Sequence, residues 1–119
     1  MMKKFLLGAV IFASMLIGSA WASDLSGKYS AVGMSPGNVQ YKASVVIAKN
    51  GDVYNVSWWV DGVQAYSGVG LLKGNRLSVG WLAGSKPAVV VYEVANNQLQ
   101  GAWSMTGSTK EFVETLTRE

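Results

Sequence analysis

Asn50 and Gly51 sit between two segments, residues 41–49 and 52–60, whose apolar residues alternate. An Asn-Gly pair in that setting is the strongest short-range signal for a β-hairpin closed by a type I′ turn. Placing Lys49 opposite Asp52 sets Ile47 against Tyr54, Val45 against Val56, Ala43 against Trp58 and Tyr41 against Val60. Side chains alternate across a strand, so this register gives the pair one face that is apolar throughout. Such a face has to be covered, and later strands are expected to extend it.

Asp61 and Gly62 give a second type I′ signal. It predicts Val60 opposite Val63, Trp58 opposite Ala65, Val56 opposite Ser67 and Tyr54 opposite Val69. The inner face then runs through Ala65, Ser67, Val69 and Leu71, with Trp59 and Tyr66 on the outer face. Lys73, Gly74 and Asn75 read as a three-residue turn setting Val69 against Val79 and Leu71 against Leu77. A two-residue turn would expose Leu77, Val79 and Trp81. Residues 83–87 read as a loop and 88–94 as a strand. Asn96 and Asn97 then turn the chain to place Tyr92 opposite Gly101 and Val90 opposite Trp103. A turn at Gly107, Ser108 and Thr109 leads into a last strand, 110–117, with Met105 opposite Phe112 and Glu114 opposite Trp103. At the start, 25–32 reads as a first strand and 33–38 as a polar loop around Ser35, Pro36, Gly37 and Asn38.

Consecutive hairpins sharing one apolar face predict an all-β fold. The expectation is an eight-stranded up-and-down antiparallel β-barrel, since closure removes exposed edges; a two-sheet β-sandwich is the alternative. Gly68, Gly70, Gly80 and Gly101 fall inside strands, where they permit the coiling a small barrel needs. The series Gly27-x-Tyr29, Gly51-Asp52-x-Tyr54-x-Val56-x-Trp58, Tyr66-x-Gly68-x-Gly70, Val89-Val90-Val91-Tyr92, Leu99-x-Gly101-x-Trp103 and Glu114-x-Leu116 resembles small exported bacterial proteins of calycin-like type. Parts of it are also similar to avidin-like and lipocalin-like barrels. The resemblance implies the barrel fold and no particular activity, and no biotin site is matched.

Residues 1–22 read as a signal peptide: Lys3 and Lys4, an apolar run over 5–17, then Ala20-Trp21-Ala22 before Ser23. The run is shorter than the roughly 20 residues a membrane-spanning helix needs. Residues 23–119 are then expected to be a single β-barrel domain, periplasmic or secreted, with no membrane insertion. In that part eight basic residues face seven acidic ones, a net of +1. No basic stripe remains, so nucleic acid is not an expected partner. The absence of Cys means the core is built without disulfides.

The sequence also has no His, which with the missing Cys removes the usual general base, the thiol nucleophile and the commonest zinc ligands. Glu111 and Glu114 point to opposite sides of a strand and cannot act as a carboxylate pair. No enzyme, metal or cofactor is expected. The inward-facing rings of Tyr29, Tyr41, Tyr54, Trp58, Trp81, Tyr92 and Trp103, with the carboxyl of Glu114, are candidate ligand-binding residues. Eight-stranded barrels are either filled by side chains or hold one small ligand, and these rings admit both outcomes. Glu114 either sits near the rim and accepts hydrogen bonds from Tyr29 or Tyr41 hydroxyls or from backbone amides where the barrel closes, or orients a ligand. Trp59 and Tyr66 are candidates for a partner surface, and Val89 and Val91 for a second apolar stripe; a homodimer is one occupant. The functional expectation is an exported binding module for a small apolar or sugar-like ligand. The alternative is a protein-binding module with a filled core, such as an inhibitor of a secreted hydrolase.

Overall fold

The computed structural model describes residues 24–119; the expected leader lies outside them. Eight strands follow in order: β1 (Gly27–Ser35), β2 (Val39–Asn50), β3 (Val53–Val60), β4 (Val63–Lys73), β5 (Arg76–Ala83), β6 (Lys86–Ala95), β7 (Gln98–Met105) and β8 (Phe112–Arg118). Each pairs antiparallel with the next, and β1 pairs with β8, Tyr29 opposite Arg118 through Gly33 opposite Glu114. The sheet is therefore a closed barrel and not a sandwich.

The first hairpin turns one residue later than its sequence signal suggests. Asn50 pairs with Val53, so Gly51 and Asp52 form the turn, and Val45 lies opposite Trp58 and Ile47 opposite Val56. Gly51 has φ 65°, the positive value required at the first central position of a type II′ turn. A shift of two leaves every side chain on its expected face. A shift of two in the opposite sense occurs at the last hairpin, where Trp103 pairs with Phe112 and Gly101 with Glu114. The β1–β2 connection shortens to 36–38, with Pro36 at the first central position, Gly37 at φ 85° in the second, and the Asn38 N–H donating to the Ser35 carbonyl at 3.1 Å. The expected loop at 83–87 shrinks to Gly84 and Ser85. Pro87 stands at the start of β6, where its carbonyl accepts the Thr106 N–H at 3.0 Å.

The second hairpin overturns a larger expectation. Asp61 and Gly62 both have positive φ, as a type I′ turn requires, and Val60 pairs with Val63. A β-bulge then intervenes: Trp59 pairs with Gln64 but Trp58 with Tyr66, leaving Ala65 as the extra residue. The rest of β4 is inverted relative to the expected register. Tyr66, Gly68, Gly70 and Leu72 face inward, while Ser67, Val69 and Leu71 face outward. Packing explains the choice, because Val79 and Trp81 occupy the space that side chains at positions 68 and 70 would need. The next turn has two residues, Gly74 and Asn75, with Lys73 opposite Arg76. β4 has already been inverted by then, so this shorter turn keeps Leu77 and Val79 buried and Trp81 facing in.

The core runs through Tyr29, Val45, Ile47, Tyr54, Val56, Leu77, Val79, Val90, Tyr92, Leu99 and Leu116. Inward glycines give the rings room: a Cβ on Gly101 would lie 2.7 Å from the ring of fully buried Tyr92, its cross-strand neighbour. By contrast, Gly80 points outward, with its nearest neighbour, the Ala88 carbonyl oxygen, 3.9 Å from an added Cβ. Gly101→Ala is therefore expected to lower unfolding free energy by about 1–3 kcal/mol. Gly80→Ala should stay within about 0.5 kcal/mol of the parent. Denaturant midpoints of the two variants check the pair.

Candidate functional site

The barrel interior has two halves. At the end carrying the Gly51, Gly74 and Asn96 turns, the chain before β1 folds beneath the strands and plugs them. Leu25 is fully buried; its N–H donates to the Tyr54 hydroxyl at 3.3 Å, and its carbonyl accepts the Tyr29 hydroxyl at 2.8 Å. The Arg118 guanidinium lies over the Tyr29 ring, 5.2 Å from its centroid. Ile47, Leu77, Leu99 and Leu116 fill the remaining volume. Tyr29 and Tyr54, expected with the other inward rings, belong to this plug and do not line the cavity of the other half.

The other half is hollow. A cavity of about 260 Å³ is walled by Trp58, Trp81, Trp103, Tyr41 and Val90, and Ser35, Val60, Ala83 and Met105 come from strand ends at its open side. The tryptophans form a chain of tilted rings, with Trp58 and Trp81 centroids 5.1 Å apart and Trp81 and Trp103 6.1 Å apart. Filled and hollow, the two outcomes left open by the sequence, coexist in one barrel.

Glu114 lies between the halves and is only 4% exposed. Its neighbours across the sheet are Gly33 on β1 and Gly101 on β7, and theirs are Tyr41 on β2 and Tyr92 on β6. A Cβ on either glycine would collide with the adjacent tyrosine ring. Each ring therefore lies over a glycine and brings its hydroxyl to the carboxyl two strands away. Tyr41 donates to Oε1 at 2.8 Å, Tyr92 donates to Oε2, and the Trp58 indole N–H reaches Oε2 from β3 at 3.2 Å. These three donors converge on a group that is acceptor-only when ionised. Tyr29, the other expected donor, instead bonds the Leu25 carbonyl.

Burial raises the pKa of both tyrosines, and the facing Glu114 charge adds to the rise: Tyr41 and Tyr92 are pushed well above the ordinary phenol value of 10.0. The Trp103 Nε1, also buried, has no hydrogen-bond partner, although its indole lies near enough to favour the Tyr41 phenolate slightly.

Of the residues singled out in the sequence, Tyr41, Trp58, Trp81, Trp103 and Glu114 meet at the cavity, and Tyr92 supports Glu114 from below. Trp59 and Tyr66 do not share a surface. Trp59 faces outward, half-buried, with its N–H donated to Ser57 Oγ at 3.1 Å. Tyr66 pairs with Trp58 and lines the cavity mouth. The sequence pattern puts Tyr66 on the outer face because the bulge that inverts it has no Gly or Pro to announce it. Ala43, Ala83 and Met105 were missed because alternation marks them as inward but says nothing of depth. Among the described residues, no group of three or more His, Cys, Asp or Glu side chains is placed to hold a metal.

The mouth is widened by incomplete pairing. The β2–β3 ladder ends at Ser44 opposite Trp59, and the β4–β5 ladder begins at Gly68 opposite Trp81. The β3–β4 tip, residues 60–67, is thus unpaired with either flanking strand.

Comparison with known proteins supports the fold alone. A solved structure titled as a redesigned beta barrel matches with a TM-score of 0.67 at 15% identity, covering 82% of this chain and 94% of that one. No protein-family model matches the sequence, and no curated protein does.

The raised tyrosine pKa values fix a pH dependence. The folded state holds these phenols protonated at pH values where the unfolded chain has begun to ionise, so stability is complete below the unfolded value of 10.0 and falls as pH rises beyond it. Tyr41→Phe should flatten that fall while costing stability at neutral pH through the lost hydrogen bond. Denaturation midpoints measured from neutral to strongly alkaline pH check both parts.

Proposed function

We propose that this protein is a non-catalytic binding module that takes one small ligand, with a flat apolar or sugar-like ring, into the open half of its barrel. The carrying observation is the cavity of about 260 Å³ walled by three tryptophans and Tyr41 and closed below by a hydrogen-bonded Glu114. Ligand sites are concave, mostly apolar and given orientation by a few placed polar groups. This volume falls just under the roughly 300–1,000 Å³ of drug-sized sites, which limits the occupant to a small molecule. The leader-like sequence of residues 1–22 and the calycin-like motif series support a periplasmic or secreted protein of that kind.

A second reading, a protein-binding module, has its own support in an uncharged outer face. One cross-strand row runs through Val69, Gly80, Val89 and Ser104, and the next through Leu71, Ser78, Val91, Ala102 and Val113. Val69, Leu71, Val89, Val91 and Val113 are all exposed there. Contiguous apolar surface of this sort marks contact sites.

Binding in the cavity is tested with naphthol, a small neutral aromatic probe. Naphthol should quench tryptophan fluorescence saturably, and Ala43→Phe, which places a ring inside the cavity, should abolish saturation while leaving the fold intact by circular dichroism. Unchanged quenching in the variant would place the probe elsewhere and remove the support for a barrel ligand.

A further inference from the structure

Building on that reading of the cavity, we infer that its natural occupant is a cation, a small organic ammonium compound whose charged nitrogen sits among the tryptophans above Glu114. Glu114 is nearly fully buried, yet all three groups bonded to it are neutral: two phenols and an indole. The ion pairs among the described residues, Lys28 with Glu119 and Arg76 with Glu93, lie on the surface and do not include it. Lys42 is the one basic residue bordering the cavity; it occupies an outward position of β2 and is exposed. Arg118 is at the plugged end, over Tyr29.

A buried carboxylate with no cationic partner leaves its negative charge to act on the adjoining space, where the low dielectric keeps it effective. The walls add to it. Trp58, Trp81, Trp103, Tyr41 and Tyr66 present aromatic rings, whose faces carry negative quadrupole charge and attract cations, tryptophan most strongly. Aromatic enclosures of this composition suit quaternary ammonium groups, which shed water more readily than a primary ammonium and carry no N–H that would be left without a hydrogen bond. Three donors already occupy the carboxylate, so it supplies a field more than a contact. That arrangement favours a bulky, weakly hydrated cation over a metal ion, which would demand open coordination sites.

Two probes of one shape separate charge from shape. Benzyltrimethylammonium and its neutral carbon isostere neopentylbenzene are titrated against the wild-type protein by tryptophan quenching. At least about tenfold tighter binding of the ammonium compound is expected, and Glu114→Gln should bring the two affinities together. Equal affinities in the wild-type protein, or preference for the neutral isostere, would overturn the cation inference and leave cavity binding standing. Failure of both probes and of naphthol to quench saturably would overturn both. The wild-type comparison decides the matter even if Glu114→Gln does not fold.

Discussion

The hydrogen bonds of Glu114 are the interaction around which the barrel interior is arranged. Desolvating a carboxylate costs several kcal/mol, offset here by two phenol donors and an indole donor; hydrogen bonds to charged groups contribute about 1.5–3 kcal/mol each. The arrangement joins β8 to β2, β3 and β6, strands that are not its sheet neighbours. It is available only because Gly33 and Gly101 flank Glu114, leaving room for a tyrosine ring to cross each intervening strand. Side chains at those two positions would separate the carboxyl from its donors.

The same row decides how the volume is shared. Beneath it the inward residues include large ones, Ile47, Leu77, Leu99, Leu116, Tyr29 and Tyr54, and Leu25 completes the plug. Above it they include Ala43, Ala83, Val60 and Gly68, too small to meet across a barrel of this girth. The large rings there stand around the wall and do not fill the centre, so aromatic content alone does not measure how full a barrel is. The partners of Glu114 thus become the floor of a cavity.

The strand count, the closure, and the inward faces of β1, β2, β3, β5, β6, β7 and β8 were legible in the sequence, since each follows from period-two alternation between turn signals. Register was less legible. Asn50 and Gly51 support a turn at either of two positions, and both leave Val45, Ile47, Tyr54 and Trp58 facing in, so the apolar pattern cannot choose between them. β4 was misread by one residue. Its missed bulge was compensated by an assumed three-residue turn at Lys73, Gly74 and Asn75, and the two errors together restored Leu77, Val79 and Trp81 to the interior. Within the site, Glu114 stood out because a carboxyl on an apolar face needs an explanation. Its pairing with Tyr92 and Trp58 depended on depth in the barrel, which alternation does not encode.

The bulge at Ala65 has consequences on both surfaces of the sheet. Without it, Tyr66 would face solvent and Val69 and Leu71 would point into space already held by Trp81 and Val79. With it, Tyr66 joins the cavity mouth, and Val69 and Leu71 line up outside with Val89 and Val91. A bulge also raises local strand twist, and the ladders to β2 and β5 both stop near this one, at Trp59 and at Gly68. Residues 60–67 along the tip are all exposed, so unpaired backbone there does not bear the penalty of buried, unsatisfied groups. The entrance to the cavity and the apolar outer face therefore share one origin, a single inserted residue in an otherwise regular hairpin.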